Sequence, residues 1–421
     1  MKSPLRLLAL LCAGAVLAPL AQAQVSARNP AGLDRETQAQ RVLDVLGPEH
    51  VLREAWRVTT GAFYDRAKLP EGWDGVVDKY VERLRGARTP VQVHAVTNDM
   101  LGEAGASHLV LLERRVFLRE LMCEFRNEAS VRADCELTEL DGTLYVGGLT
   151  AGGAAERAGL RIGDEVLAID GAAPAAKLDP AGHDPALGGP PGYFLNLSPE
   201  AHTVAVRRER GGPVSELTLT PAAWSQIKGC EASVEVVERD GVRVGVIRLY
   251  HFIHPRVVSI LDEALAGPFA DVDALVLDVR GRGGQPRIVT QILNRFSGRR
   301  ARWTKPVVCL IDGHSRSAKE AFAYGWRKRE VGPLIGETTA GAVIACTFRQ
   351  LSDGSVLCLP IKDATSLTDG VVLEGRGVDP TERVDQLPLP YRGGRDAIRE
   401  AGLRRAAELA LGGGAGGTRA F

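Results

Sequence analysis

The sequence lacks an excess of charge of either sign. Its 421 residues include 52 lysines and arginines and 52 aspartates and glutamates, and no long basic run interrupts that balance. Proteins that bind nucleic acid draw much of their affinity from clustered positive charge, so nucleic acid is not expected as a partner. A phosphate-binding P-loop is also missing, since neither glycine-rich turn has the required spacing with its lysine. These absences argue against nucleotide and nucleic-acid functions.

A hydrophobic run long enough to cross a bilayer is missing as well. The N-terminal apolar run covers 7–20 and is interrupted by Pro19, which makes it too short for a transmembrane helix. The basic start over 1–6 and the end Ala21–Gln22–Ala23 are typical of a secretory signal, predicted to be residues 1–23. The mature chain is therefore expected to be periplasmic or secreted, without stable membrane insertion after signal cleavage.

Cysteine is sparse, and none of its spacings resembles a zinc site, so neither a metal nor another cofactor is predicted. Six cysteines follow Cys12, and in an exported protein they allow several disulfide connectivities. The preferred pairs are Cys123–Cys135 and Cys346–Cys358, because each closes a short loop. Cys309 lies in an apolar strand pattern and is predicted to be a buried thiol.

The apolar pattern divides the mature chain into three regions. Three- and four-residue steps predict helices over 24–108, and short strands with turns follow over 109–225. A Pro- and Gly-rich stretch at 172–199 is predicted to be a long exposed loop. Strands alternate with helices over 226–411, which predicts an α/β domain with a largely parallel sheet. The Gly-rich tail at 412–421 is expected to be flexible.

Two predicted strand-to-helix turns contain the residues of a hydrolytic site. The apolar strand Val307–Ile311 leads to Ser317, directly before a helix that starts at Ala318, and Ala274–Val279 leads to the turn Arg280–Gly284. One turn offers a hydroxyl nucleophile and the other offers bare backbone N–H groups, which together suit acyl transfer. An ordinary helix N-cap is the alternative interpretation of the serine.

These motifs resemble the carboxyl-terminal processing (tail-specific) serine protease family. Residues 143–171 are similar to a PDZ domain of bacterial proteases, and the helical start is similar to the N-terminal region of the family's tricorn-like branch. The resemblance implies a crotonase/ClpP-like α/β protease core with a helical N-terminal region and an inserted, mostly β PDZ-like domain. It covers nearly the whole mature chain. The glycine-rich loop with which a PDZ domain binds a carboxylate is not evident.

The resemblance also implies the catalytic group. Ser317, followed by Ala–x–Glu, matches the nucleophile position. The processing branch has a catalytic lysine where this chain has Ala342, so a Ser/Lys dyad of that form is absent. The tricorn-like branch uses a Ser–His pair, which Ser107–His108 matches, and a glutamate in a Leu–Glu–x–x–Gly–Val segment, which Glu374 matches. His108 would then be the general base, Glu374 would orient it, and Ser107 would be a fourth member.

The oxyanion segment of the family is matched by Asp278–Gly284, with Arg282 in place of a usual asparagine. The oxyanion hole would combine the Ala318 N–H with an N–H of Gly283 or Gly284, because glycine leaves the turn open to close approach.

Other histidines and a lysine compete for the role of base. His314 lies three residues before the nucleophile, on a loop too short to aim both side chains at one point. Lys319 is two residues after it and is interpreted as a solvated charge on another helix face. His251 and His254 have ligand-like spacing without a supporting cluster and are interpreted as loop residues.

The sequence thus predicts an exported serine endopeptidase that cleaves extended or unfolded polypeptide segments through an acyl-enzyme. Its activity should rise with pH as the base histidine loses its proton. A catalytically inactive relative that binds peptides or serves as a scaffold is the main alternative, and a small-ester hydrolase is a third. Nothing in the sequence indicates the cleavage preference or the oligomeric state.

Overall fold

The computed structural model describes residues 36–181 and 189–413. The predicted signal at 1–23 lies outside these residues, as do part of the predicted loop at 172–199 and most of the tail at 412–421. Within the described ranges, no helix is long and apolar enough to cross a membrane.

The N-terminal region is helical, as its periodicity predicts. Thr89 caps one helix in a reciprocal pair with Gln92, and Pro90 occupies the first helical position. Buried side chains, including Leu52 and Leu101, hold the helices together around one apolar cluster. The elements are α1 (Glu36–Leu46), α2 (Glu49–Ala62), two single turns (Arg66–Lys68 and Trp73–Gly75), α3 (Val76–Arg83), α4 (Pro90–Gly102) and the short strand β1 (Val110–Leu112).

The segment after β1 is helical, although the sequence pattern predicts strands and turns there. It consists of α5 (Arg114–Val116), a π-helical turn (Phe117–Met122) and α6 (Cys123–Arg126). Val116 and Cys123 are both buried, seven residues or two helical turns apart, in a segment too short to stand out as periodic. The predicted Cys123–Cys135 disulfide is wrong: both thiols are free, and Cys123 Sγ lies 2.6 Å from the carbonyl oxygen of Arg119.

The middle region forms an antiparallel sheet of seven described strands, in the order β6-β7-β3-β4-β5-β8-β9. Its tight Asp141–Gly142 turn has positive φ at both residues, which suits a two-residue hairpin. The elements are β2 (Ser130–Arg132), β3 (Cys135–Leu140), β4 (Thr143–Leu149), α7 (Ala154–Arg157), β5 (Glu165–Ile169), a single turn (Pro174–Lys177), β6 (Leu178–Pro180), β7 (Gly192–Leu195), β8 (His202–Arg207), β9 (Val214–Leu219) and β10 (Ala222–Trp224), which pairs with β2.

The stretch at 172–199 is therefore not one long loop. Leu178 pairs with Leu195 and Pro180 with Tyr193, so two short strands enter the sheet from either side of residues 182–188. Proline and glycine suppress the local strand signal there, and pairing with β3 supplies the stability that local propensity does not.

The last region is the predicted α/β layer around a sheet of order β11-β12-β13-β14-β15-β18, parallel except for the edge strand β11. Every residue of β13 and β14 is buried, which explains their unbroken apolar runs. The elements are α8 (Gln226–Ala232), β11 (Glu235–Arg239), β12 (Val242–Arg248), α9 (Arg256–Ala266), β13 (Ala274–Asp278), α10 (Pro286–Phe296), β14 (Val307–Ile311), α11 (Ala318–Lys328), β15 (Leu334–Gly336), β16 (Ala345–Gln350), β17 (Val356–Lys362), a single turn (Thr365–Leu367), β18 (Glu382–Arg383) and α12 (Ala397–Gly413).

A small sheet of order β1-β17-β16 joins the two ends of the fold. Val110, which follows Ser107 and His108 by only a few residues, pairs with Cys358. This pairing fixes the end of the helical region against the α/β layer. Cys346 lies on β16 opposite Pro360, whereas Cys358 on β17 lies opposite Phe348. A disulfide between Cys346 and Cys358 stays a prediction.

Candidate active site

Ser317 occupies a sharp turn between β14 and α11, with φ 58° and ψ −125°. Its N–H group donates to the carbonyl oxygen of Ala342 at 2.7 Å and to a carboxylate oxygen of Glu320 at 3.1 Å. A residue other than glycine in this backbone region carries strain of about 1–3 kcal/mol, which the surrounding hydrogen bonds must hold in place. Such a strand-to-helix turn presents a serine hydroxyl at the edge of a sheet.

Glu320 is the group that holds the nucleophile turn, and the sequence analysis did not assign it a role. Its buried carboxylate also accepts from Thr339 Oγ1 at 2.7 Å, from Gly341 N at 2.7 Å and from Ala342 N at 2.8 Å. Burial raises the pKa of Glu320, while these hydrogen bonds favour its ionised form. The Ser–x–x–Glu spacing of a capping box is the signal that could have identified it.

The glycine turn lies directly against the nucleophile. A Cβ atom on Gly283 would lie 2.5 Å from Ser317 Cβ and 3.0 Å from Ala318 N, so only glycine fits. Gly284 has φ 156°, and a Cβ there would lie 2.2 Å from the carbonyl carbon of Phe252. Phe252 N donates to Gly283 O at 2.9 Å, which fixes the turn from behind. The glycine turn thus lies directly against the backbone of Ser317 and Ala318.

Arg280 anchors the same turn from below. Its buried guanidinium forms paired hydrogen bonds with Asp278 and with Asp396, all between 2.7 and 3.0 Å. Gly281 N donates to Asp312 at 3.3 Å, which links the turn to the loop that precedes the nucleophile. Bidentate pairing of this kind fixes orientation as well as position.

Arg282, which replaces the family's usual asparagine, points towards the antiparallel sheet. Its guanidinium lies 5.4 Å from the ring centre of Phe194, 3.5 Å from Glu136 and 3.4 Å from the carbonyl oxygen of Ala181. Arg282 therefore links the glycine turn to the antiparallel sheet.

Ser107, His108 and Glu374 form one hydrogen-bonded group. Ser107 Oγ lies 2.9 Å from His108 Nδ1 and donates to Glu374 at 3.1 Å, while Ser107 N donates to the other carboxylate oxygen at 3.0 Å. Because the hydroxyl donates to Glu374, it accepts from Nδ1–H of His108, and this tautomer leaves Nε2 as the basic nitrogen. Ser107 therefore connects the Glu374 carboxylate to the ring.

The consecutive residues Ala342 and Val343 connect the Ser107–His108–Glu374 group to Ser317. Ala342 O accepts from Ser317 N, and Val343 N donates to Glu374 at 2.7 Å. Burial lowers the pKa of His108 well below 6.5, and the positive charge of Arg316 lowers it further, which places the ring within electrostatic reach of the residue before the nucleophile. The imidazole is therefore uncharged at neutral pH.

Backbone strain marks the same two positions. Among the described residues, ten that are not glycine have positive φ, and His108 (62°) and Ser317 (58°) are two of them. Six of the other eight are asparagine or aspartate, which tolerate this conformation. Histidine shares that tolerance, so the backbone of Ser317, with ψ −125°, is the clearer example of the strain found at functional sites.

The competing residues lie elsewhere. His314 is exposed on the loop. His251 lies in the loop after β12, as predicted, and there it is fully buried, with Nε2 3.1 Å from Glu124. The interpretation of Lys319 as a solvated charge is wrong, because its side chain is fully buried. In the described parts of the chain, no group of three or more His, Cys, Asp or Glu is placed to hold a metal ion.

Residues 285–384 match the family model described as Peptidase family S41. This part of the chain belongs to peptidase family S41. The resemblance to carboxyl-terminal processing and tricorn-like proteases is thereby confirmed. The S41 region contains Ser317 and Glu374, whereas Ser107, His108 and the glycine turn precede it.

Relatives of the S41 region extend over most of this chain. This chain is 24% identical over 371 residues to the carboxyl-terminal-processing peptidase 1 of Arabidopsis thaliana chloroplasts, and the match covers 80% of this chain and 71% of that protein. It is 28% identical over 355 residues to tricorn protease homolog 1 of Streptomyces coelicolor, covering 77% of this chain but only 32% of that protein. The chain thus spans about a third of the length of its tricorn-like relatives.

A solved structure supports the mixed α/β fold of this chain. The photosystem II D1 C-terminal processing protease superimposes with a TM-score of 0.50 at 21% sequence identity, covering 83% of this chain and 98% of that one.

Proposed function

We propose that this chain is an exported serine endopeptidase that cleaves extended or unfolded polypeptide segments by acyl-enzyme chemistry. Ser317 is the nucleophile, His108 is the general base, and Glu374 orients that base. The observation that carries the proposal is the hydrogen-bonded path from Glu374 through Ser107 to His108, joined to the Ser317 turn by the adjacent residues Ala342 and Val343.

The reaction follows from the tautomer of the base. Nε2 of His108 takes the proton of the Ser317 hydroxyl as the oxygen attacks the scissile carbonyl. The imidazolium then gives that proton to the departing amine, and a water molecule activated by the same nitrogen releases the acyl group. Glu374, through Ser107, stabilises the imidazolium while it carries the extra proton.

The developing oxyanion lies between the glycine turn and the start of α11. Ala318 N–H is one of the first donors of a helix, which have no acceptor within the helix itself. Together with an N–H of Gly283 or Gly284 it forms the oxyanion hole, and each such donor contributes roughly 3–4 kcal/mol to transition-state stabilisation. The close approach of Gly283 to Ser317 supports this assignment.

We prefer a histidine base to a lysine because Ala342 occupies the position at which the processing branch has its catalytic lysine. Ala342 is buried, and its backbone carbonyl contacts the nucleophile residue at 2.7 Å. An alanine next to the nucleophile cannot accept a proton, so the base must come from another element. His108 is our candidate for that base, because the positive charge of Arg316, the residue before the nucleophile, acts on its pKa.

The remaining assignments extend the same proposal. The core at 226–411 is crotonase/ClpP-like, 24–108 is its helical N-terminal region, and 109–225 is an inserted PDZ-like domain. Among the described residues, the edge strand β9 pairs only with β8, and its other side could accept an added peptide strand. Export follows from the signal-like residues 1–23.

Labelling with a fluorophosphonate probe tests the proposal against an inactive scaffold. The wild-type protein is expected to form a covalent adduct at Ser317, identified by mass spectrometry of the labelled peptide, and to degrade an unfolded protein substrate. An intact, folded protein that neither labels nor cleaves would favour the scaffold. Turnover of small esters alone, without peptides, would favour the ester hydrolase.

The pH dependence of kcat/KM should locate the base. Because the pKa of His108 lies below its usual 6.5, we expect the neutral ring, and with it the activity, to persist below that pH and to be lost as the ring gains its proton in more acidic solution. Replacement of Arg316 by glutamine removes a positive charge and should raise the midpoint of this acid limb. Arg316→Lys keeps the charge and should leave it in place. An acid midpoint identical in the two variants would contradict the assignment.

A further inference from the structure

Lys319 is the strongest unexplained group near the site. It lies two residues after the nucleophile, on the first turn of α11, yet its side chain is fully buried. Its Nζ donates to the carbonyl oxygen of Arg280 at 3.0 Å and to that of Tyr250 at 2.9 Å. One carbonyl belongs to the glycine turn, and the other follows the end of β12. A single amine thus connects the nucleophile helix with two segments that shape the oxyanion hole.

The amine has no carboxylate within salt-bridge distance among the described residues. Burial lowers the pKa of Lys319 to about 7, and Arg248 adds to that shift, while Asp278 and Asp312 oppose it. The thiols of Cys230 on α8 and Cys309 on β14 also interact electrostatically with the Lys319 amine. An isolated buried ammonium is unfavourable for folding, so its position calls for a role that an apolar side chain could not fill.

We propose that Lys319 is a positioning residue for the oxyanion hole: its hydrogen bonds hold the Arg280–Gly284 turn and the Tyr250 segment against the nucleophile helix, so that the glycine N–H groups aim at the reacting carbonyl. The inference rests on the proposed hydrolytic function. Lys319 does not serve as the base, because its amine is already bonded beneath the glycine turn and its side chain leaves the helix on a different face from Ser317.

Tyr250 extends this arrangement to the antiparallel sheet. Its backbone carbonyl accepts from Lys319, its phenolic oxygen accepts from Ala151 N at 2.8 Å, and Phe252, two residues on, donates to Gly283. Displacement of the Tyr250 segment would therefore move the glycine turn. Loss of the lysine is expected to leave substrate binding intact and to impair the chemical step, since a misplacement of about 1 Å at a reacting centre lowers rates by roughly 100-fold.

The test compares Lys319→Met, Lys319→Gln and the control Lys328→Met, an exposed lysine on the same helix that pairs with Asp369. For Lys319→Met, we expect kcat and the fluorophosphonate labelling rate to fall by about 10- to 100-fold, with KM within about twofold of wild type. Lys319→Gln retains N–H donors and should recover part of kcat. Lys328→Met should match wild type.

The pH profile separates positioning by the ammonium from a purely structural role. The wild-type rate should decline as the pH rises through about 7, where Lys319 loses its charge, and this decline should be absent from Lys319→Gln and Lys319→Met. Equal kcat and equal alkaline limbs in wild type and Lys319→Gln would overturn the inference. If Lys319→Met does not fold, as judged by circular dichroism, the glutamine variant decides. A wild-type protein that fails to label would instead refute the hydrolytic function itself.

Discussion

Ser317→Ala is expected to remove both peptide hydrolysis and fluorophosphonate labelling, with kcat lowered by roughly 10⁴-fold or more. The proposed mechanism has one nucleophilic oxygen, and the neighbouring base cannot act without it. The oxyanion donors remain in the variant, so a small residual rate above the uncatalysed reaction is compatible with the mechanism. Steady-state assays with a fluorogenic peptide and intact-mass analysis after labelling measure the two losses independently.

The fold should survive this substitution. Alanine keeps the backbone hydrogen bonds of position 317, from its N–H to Ala342 and Glu320, and loses only the capping contact of the serine hydroxyl with the Glu320 N–H, which is worth about 1 kcal/mol. We therefore expect the melting temperature to change by no more than a few degrees. Ser366→Ala, at an exposed serine of the same region, provides a matched control with full activity. Wild-type turnover in purified Ser317→Ala would show that another residue is the nucleophile.

The α/β layer could be predicted because its signals are local. The strand at 307–311 is a continuous apolar run that ends at a glycine-containing turn, and its bounds agree with the structure. The helical segment at 114–126 was missed because it consists of three pieces with a π-helical turn between them, so no single period persists. The strands at 178–180 and 192–195 were missed because their stability comes from pairing with each other and with β3.

The site shows a different limit. Ser107 and Glu374 are 267 positions apart, and no local pattern indicates that they touch; in the sequence, only the resemblance to a family assigns them to one site. The pairing of β1 with β17, which begins three residues after Ser107, likewise joins residues about 250 positions apart. For Lys319, the sequence pattern correctly predicts a helix face different from that of Ser317, because residues two positions apart on a helix point in different directions. The error lay in assuming that the other face meets solvent, when it meets the glycine turn.

Replacement of His108 by glutamine should reduce kcat almost as far as the loss of the nucleophile does. Glutamine retains a polar side chain of moderate size but cannot take a proton at neutral pH, so the Ser317 hydroxyl stays a poor nucleophile. In comparable serine peptidase groups, loss of either the serine or the histidine costs roughly 10⁶-fold in kcat. Single-turnover kinetics at saturating substrate measures this loss apart from any change in binding.

A double-variant cycle then tests whether the two residues act as one unit. If His108 serves Ser317, the combined Ser317→Ala and His108→Gln protein should be no slower than Ser317→Ala alone, because the base has nothing left to activate. Ser107→Ala keeps both of them but loses the hydroxyl that links the ring to Glu374, so we expect a smaller loss, of about 10²- to 10⁴-fold. Additive losses in the double variant would mean that His108 acts on a different step from the one Ser317 performs.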